Sequence, residues 1–295
     1  MAYQLSNEQL VVDIAKLGEP YRGSRFEWAG FITGIKLLRG NHTFCVEESR
    51  TPGEGTGGQG LCSEFGIVKP VGYNEAKAGE LFPKLGIGLL TRPDDAEYQF
   101  FREYAVKPFE VEVRQASNEM IEFVALPRES HGYAVKIVKR ISIQNNRLKI
   151  KYELHNTGKK PISTEEYCHN FLGIDDHPVG PDYLLKFPFA FEPWSDEAET
   201  MEDLAFAGAD VTWRRQPERP FYFRLPGFDG SEYPWLWELI HQPSGVGVRE
   251  LSKFPVASAA VWGIEHVISP EMFIEVNVEP GETKMWSRMY EFFAD

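Results

Sequence analysis

YAVKIVKRISIQNNRLKIKYELHN, Tyr133 to Asn156, is the run that decides the fold class. Val135, Ile137, Ile141 and Ile143 fall on alternate positions. Beyond Asn145-Asn146, so do Leu148, Ile150, Tyr152 and Leu154, with Lys149, Lys151, Glu153 and His155 between them. Period two is the signature of a strand with one buried face, because successive side chains leave a strand on opposite sides. The asparagine pair supplies turn chemistry between the two runs. The stretch is therefore an antiparallel hairpin with one wet face. Asn156-Thr157-Gly158 turns the chain again, and Pro161-Ile162-Ser163 leads into EEYCHNFLGIDD, Glu165 to Asp176.

The same grammar extends outward. Trp235 to His241 and Val246 to Arg249 flank the turn Gln242-Pro243-Ser244-Gly245. Ala257 to Glu265 reads as another strand, and Phe273 to Val278 and Met285 to Phe292 flank Pro280-Gly281-Glu282. Upstream, Arg25 to Trp28 and Gly30 to Ile35 are strand-like but broken by glycines. Leu10 to Ile14 fits an edge strand or a short helix, and Asp196 to Ala207 a short helix. No compositional shift divides the chain. The expectation is all-β: one large antiparallel β-sandwich domain over residues 1–295.

Composition narrows the function. The 295 residues carry a net charge of −13, and no basic block stands out, so a nucleic-acid partner is not expected. No run of about twenty apolar residues is present to cross a membrane. The N-terminal residues lack a basic segment followed by an apolar one, and Cys45, Cys62 and Cys168 form no C-x-x-C pair. A reduced, cytoplasmic setting is expected. Aromatic residues make up 14% of the chain. They suit strands, and they also suit a pocket for a sugar, whose C–H face packs on an aromatic ring.

Glycines 53, 55 and 58 match G-x-G-x-x-G within Thr51 to Gly60. A dinucleotide site needs a strand running in and a helix starting directly after. Here proline and glycine flank the match and no helical period follows, so the segment reads as a long loop of the kind that often serves function.

His169 is the first candidate for chemistry. On a strand, Tyr167, His169 and Phe171 share one face, while Cys168 and Asn170 share the other. Cys168 and His169 therefore cannot form a nucleophile–base pair by adjacency. An imidazole moves protons near neutral pH with little tuning; from position alone, a structural histidine is the plainer reading. His169, Asp175, Asp176 and His177 are close in sequence but lack the spacing of a metal site. The second candidate is Glu265, which ends the apolar run Ala259 to Ile264. Burial beside Trp262 would raise its carboxyl toward a useful value, whereas a solvated strand end would not. Glu275 is a weaker rival that fits a surface strand position.

The segment Cys168-His169-Asn170-Phe171-Leu172-Gly173 after its hairpin, and Trp262-Gly263-Ile264-Glu265 followed by Pro280-Gly281-Glu282, resemble the galactose mutarotase-like superfamily, the aldose 1-epimerases in the broad sense. The likeness spans roughly residues 20–293. It implies a small-molecule sugar as partner and neither cofactor nor metal. It also implies an isomerase that interconverts anomers by ring opening. Glu265 as carboxylate would take the proton of the C1 hydroxyl, and protonated His169 would give one to the ring oxygen from the other side of the ring. Arg25, Lys84, Asp175 and Trp237 are candidate sugar contacts, arginine as a fork for two hydroxyls and tryptophan as a face for the ring, but for each a salt bridge or core packing is the plainer reading. The family's first-half histidine has no counterpart in Gly79 to Gly88, where Lys84, or Arg92 beyond it, would stand in. The alternative is a non-catalytic carbohydrate-binding protein on the same fold.

Overall fold

The computed structural model describes residues 2–19 and 21–294. Strand Val135–Gln144 pairs antiparallel with Arg147–Asn156, Ile141 facing Ile150, and Asn145 closes the turn at φ 52°. All eight alternating apolar side chains are buried. Lys139 lies on the same inward face and is also buried, its ammonium held by Glu27 at 2.9 Å and by the Ala29 carbonyl. A buried charge needs such partners.

The strands form two large sheets and a small three-stranded one, every pairing antiparallel. In the ten-stranded sheet, Thr283–Ala294 lies between Val246–Glu250 and Arg147–Asn156. In the nine-stranded sheet, Ile162–Asn170 lies between Leu61–Phe65 and Val267–Val278, followed by Ser258–Ile264 and the outer strand Phe221–Arg224. The sheets pack face to face, with Phe65 against Tyr152 and Trp286, and Phe44 against Phe292. This is the expected β-sandwich.

Three local expectations change. Leu10–Ile14 is an inner strand, because Tyr3–Ser6 pairs on its outer side. Asp196 to Ala207 forms no α-helix: a 3-10 turn spans Ala198–Met201 and strand Leu204–Ala207 hairpins with Asp210–Trp213. Gly208 at φ 64° makes that turn, and Phe206 docks on Phe191 and Phe223. Arg25 to Trp28 is irregular rather than extended, since Arg25, Phe26 and Glu27 all turn inward to buried partners.

Alternation along Ile162–Asn170 divides its side chains between two environments. Glu166, Cys168 and Asn170 face the sandwich interior, where Glu166 pairs with Arg288 and Asn170 accepts a hydrogen bond from Tyr290. Tyr167 and His169 face the other way, onto the outer surface of the nine-stranded sheet.

Candidate active site

That outer surface carries a cleft of about 670 Å³, lined among others by Arg25, Phe100, His169, Arg224, Trp262 and Glu271. Its shape follows from side-chain size along one transverse row. Ala260 pairs with Glu271 on one side and with Arg224 on the other. A methyl group between a carboxylate and a guanidinium leaves a hollow. Trp262 and Phe273 stand at its flanks.

Pro270 opens the sheet beneath His169. Glu166 pairs with Ile274 at one end and Leu172 with Ile268 at the other, one continuous register that puts His169 opposite Glu271. Proline has no N–H to give the ladder. Side chains fill the gap: the Asn170 amide group donates to the Pro270 carbonyl, and the Asn170 backbone N–H donates to Ser269 Oγ at 3.0 Å.

His169 is boxed by rings. It stacks on Phe171 at 4.0 Å with planes 5° apart and meets the edges of Trp262 and Phe26 at 5.3 and 5.9 Å. Nδ1 lies 2.9 Å from Ser269 Oγ, and Nε2 lies 3.2 Å from Glu271 Oε1. Ser269 Oγ also lies 3.2 Å from Glu271 Oε1. Burial, and secondarily the Arg25 charge, holds the imidazole well below its ordinary value. Burial raises the Glu271 carboxyl to about 8, against the opposing pull of Arg25 and the Ser269 hydroxyl. Burial thus favours the uncharged form of both groups.

Behind the pair, Glu64 gathers Arg25 Nε at 2.9 Å, Lys84 Nζ at 3.0 Å and the Tyr167 hydroxyl at 2.8 Å, all buried. The Arg25 guanidinium lies between the Phe26 and Phe100 rings. The glycine-rich segment roofs this end. Glu48 Oε2 accepts from the backbone of Thr56 and Gly58 and from the Thr56 hydroxyl, which pins the segment. A Cβ on Gly58 would lie 2.2 Å from the Phe171 ring, so only glycine lets the roof come this close. A second hollow of about 630 Å³ adjoins the first and shares Arg25, Thr56 and Phe100.

Of the residues expected from sequence, the cleft contains His169 and Arg25. Lys84 is one layer back, bonded to Glu64 and the Gly66 carbonyl. Asp175 faces away, paired with His42 Nδ1 at 2.6 Å and accepting the Thr43 amide at 2.8 Å. Trp237 is sealed in the sandwich interior, its indole N–H on Glu250 at 2.7 Å. Arg92 is bound by the carbonyls of Tyr73, Ala76 and Asp94. Glu265 stands in the two-residue turn between Ser258–Ile264 and Val267–Val278, its side chain 50% exposed and touching His266 instead of His169. The strand reverses so tightly that the carboxylate at its end points to water. Glu275 is exposed, as a surface strand position should be.

Glu271, which lines the cleft, was not singled out from the sequence; its available signal was a carboxylate inside the largely apolar run Val267 to Val278. Among the described residues, no cluster of three or more His, Cys, Asp or Glu side chains could hold a metal, and no helix is long and apolar enough to cross a membrane.

No protein-family model matches the chain, and comparison with curated proteins finds no match. Solved structures do match. A galactose mutarotase related enzyme from Lactobacillus acidophilus superimposes with a TM-score of 0.62 at 14% identity, over 99% of this chain and 97% of that one. The aldose epimerase homologue of C. elegans gives 0.62 at 12%, over 100% and 99%. A protein of Synechocystis sp. PCC 6803 gives 0.64 at 12%, over 100% and 96%. The architecture of this chain is that of the galactose mutarotase-like proteins.

Proposed function

We propose that the protein is an aldose 1-epimerase-like isomerase that interconverts the anomers of a hexose or related sugar, with His169 and Glu271 as its proton-transfer groups. The observation that carries this reading is the direct contact of an imidazole and a carboxyl group, their proton affinities shifted in opposite senses, at the floor of a cleft. Opposed shifts in neighbouring groups are how acid and base roles are divided. The cleft volume lies within the range of small-molecule sites. The mutarotase-related and aldose epimerase-like names of the structural neighbours support the same reading.

Anomer exchange needs a proton taken from O1 and one given to the ring oxygen. Both oxygens are bonded to C1, so two groups side by side on one wall reach both. A straddling pair on opposite sides of the ring, expected from sequence, is not required. Arg25, held rigid by Glu64, offers donors to the sugar hydroxyls, and Trp262 offers a ring face.

The test is anomer exchange by NMR or polarimetry over a panel of aldoses. Glu271→Gln and His169→Asn are each expected to lower the rate about 10²–10⁴-fold. Binding without exchange for every sugar would instead identify a carbohydrate-binding protein, and full activity in Glu271→Gln would remove Glu271 from the mechanism.

A further inference from the structure

Ser269 has 0% of its surface exposed and joins the two groups. Its hydroxyl has one proton to give and two lone pairs. The Asn170 backbone N–H occupies one lone pair. Among the described residues two further partners stand within reach, Nδ1 of His169 at 2.9 Å and Oε1 of Glu271 at 3.2 Å. If Nδ1 accepts the serine proton, the second lone pair is open to a proton from the acid form of Glu271. The Nε2 to Oε1 approach of 3.2 Å is close but not aligned as a hydrogen bond, so the hydroxyl is the aligned link between imidazole and carboxyl.

We infer that Ser269 is a positioning residue that relays a proton between Glu271 and His169, making them one acid–base unit that works from a single wall of the cleft. This rests on the epimerase reading. In the resting unit, Glu271 carries its proton on Oε1 and gives it to Ser269 Oγ. Ser269 gives its own proton to Nδ1, and the imidazole N–H is at Nε2. On ring opening, the O1 proton passes to Oε2 of Glu271, the Oε1 proton to Ser269, the serine proton to Nδ1 and the Nε2 proton to the ring oxygen. The bond from C1 to the ring oxygen breaks with its electron pair going to that oxygen, and the C1–O1 bond becomes the carbonyl. The protein ends with the same number of protons and no new charge. Glu271 has exchanged its acidic oxygen, and His169 its tautomer. Closure on the other face of the aldehyde runs the chain backward. The charges around the unit include Arg25 with Glu64 behind it, Arg224 across Ala260, and Glu48 and Glu165 on the cleft lining, and a relay that creates no charge leaves their balance undisturbed.

Ser269→Ala should lower kcat about 10²-fold with KM within about threefold, while Ser269→Thr, which keeps the hydroxyl, should recover most of the rate. A proton inventory in mixed light and heavy water should be curved for the wild type and linear for Ser269→Ala. A kcat in Ser269→Ala within threefold of wild type, or an unchanged inventory, overturns the relay. A second arm needs no sugar: the ¹⁵N signal of His169 Nδ1 should move as Glu271 titrates in the wild type and stay fixed in Ser269→Ala. If Ser269→Ala does not fold, Ser269→Gly replaces it, and the signal should again stay fixed. A wild-type signal that ignores the Glu271 titration, or a variant signal that still follows pH there, overturns the proposal. If the wild type exchanges no aldose, the epimerase reading fails, and the nitrogen signal still decides whether the relay exists.

Discussion

Burial acts on Glu271 in two directions at once. Its carboxyl is protonated more tightly in the folded chain, at about 8, than at its ordinary 4.5. The folded state therefore keeps this contribution in full below about pH 4.5 and loses it progressively as the pH climbs to about 8, where the loss levels off. Glu271→Gln should thus melt higher than the wild type at pH 8, by roughly 1–3 kcal/mol of stability, and nearly with it at pH 4.5, in paired thermal scans. Activity should follow the same group. With the carboxylic acid as the working form, the rate should hold through neutral pH and fall about tenfold per unit above about pH 8. No second limb is expected near pH 6.5, because the imidazole is held neutral there. Glu265→Gln should change rate and stability by less than about twofold and 0.5 kcal/mol, as an exposed turn residue does. His169 was legible in the sequence because strand alternation fixed its face. Glu271 was not, since Pro270 beside it argues against a central strand. Glu265 drew attention as the carboxylate after an apolar run, and nothing local revealed how soon the chain turns back.

At the level of elements, the site is a repaired break. Val267–Val278 would zip fully against Ile162–Asn170 if residue 270 carried an N–H. Asn170 bridges the break and the sandwich together, its amide group on the Pro270 carbonyl and its carbonyl oxygen on the Tyr290 hydroxyl. Asn170→Ala should cost about 1–3 kcal/mol in urea unfolding, the usual penalty for leaving buried polar groups without partners. The hairpins from Tyr133 onward could be read directly, because alternation and turn residues agree there. The first hundred residues could not. Their chain direction is set by distant contacts, such as Arg25 on Glu64 and Glu27 on Lys139, which leave no local periodicity.

Across the whole molecule, charge holds the two sheets in register. Arg288 is fully buried between Glu166 of the nine-stranded sheet and Glu250 of its own, at 2.8 and 3.3 Å. Glu250 in turn accepts from Trp237, and Glu166 from Trp286. Arg288→Met would leave two buried carboxylates facing each other, and should lower stability by about 3–5 kcal/mol in chemical denaturation. Such long-range pairs are invisible to a linear reading, which left Trp237 open between a sugar platform and core packing; it is a core strut. Arg288 rides on Thr283–Ala294, a strand in the middle of the ten-stranded sheet. During synthesis on the ribosome, the two halves of that sheet must wait for it with their edges unpaired. Closure of the sandwich therefore waits until Thr283–Ala294 has left the exit tunnel, and until then both half-sheets carry an open edge.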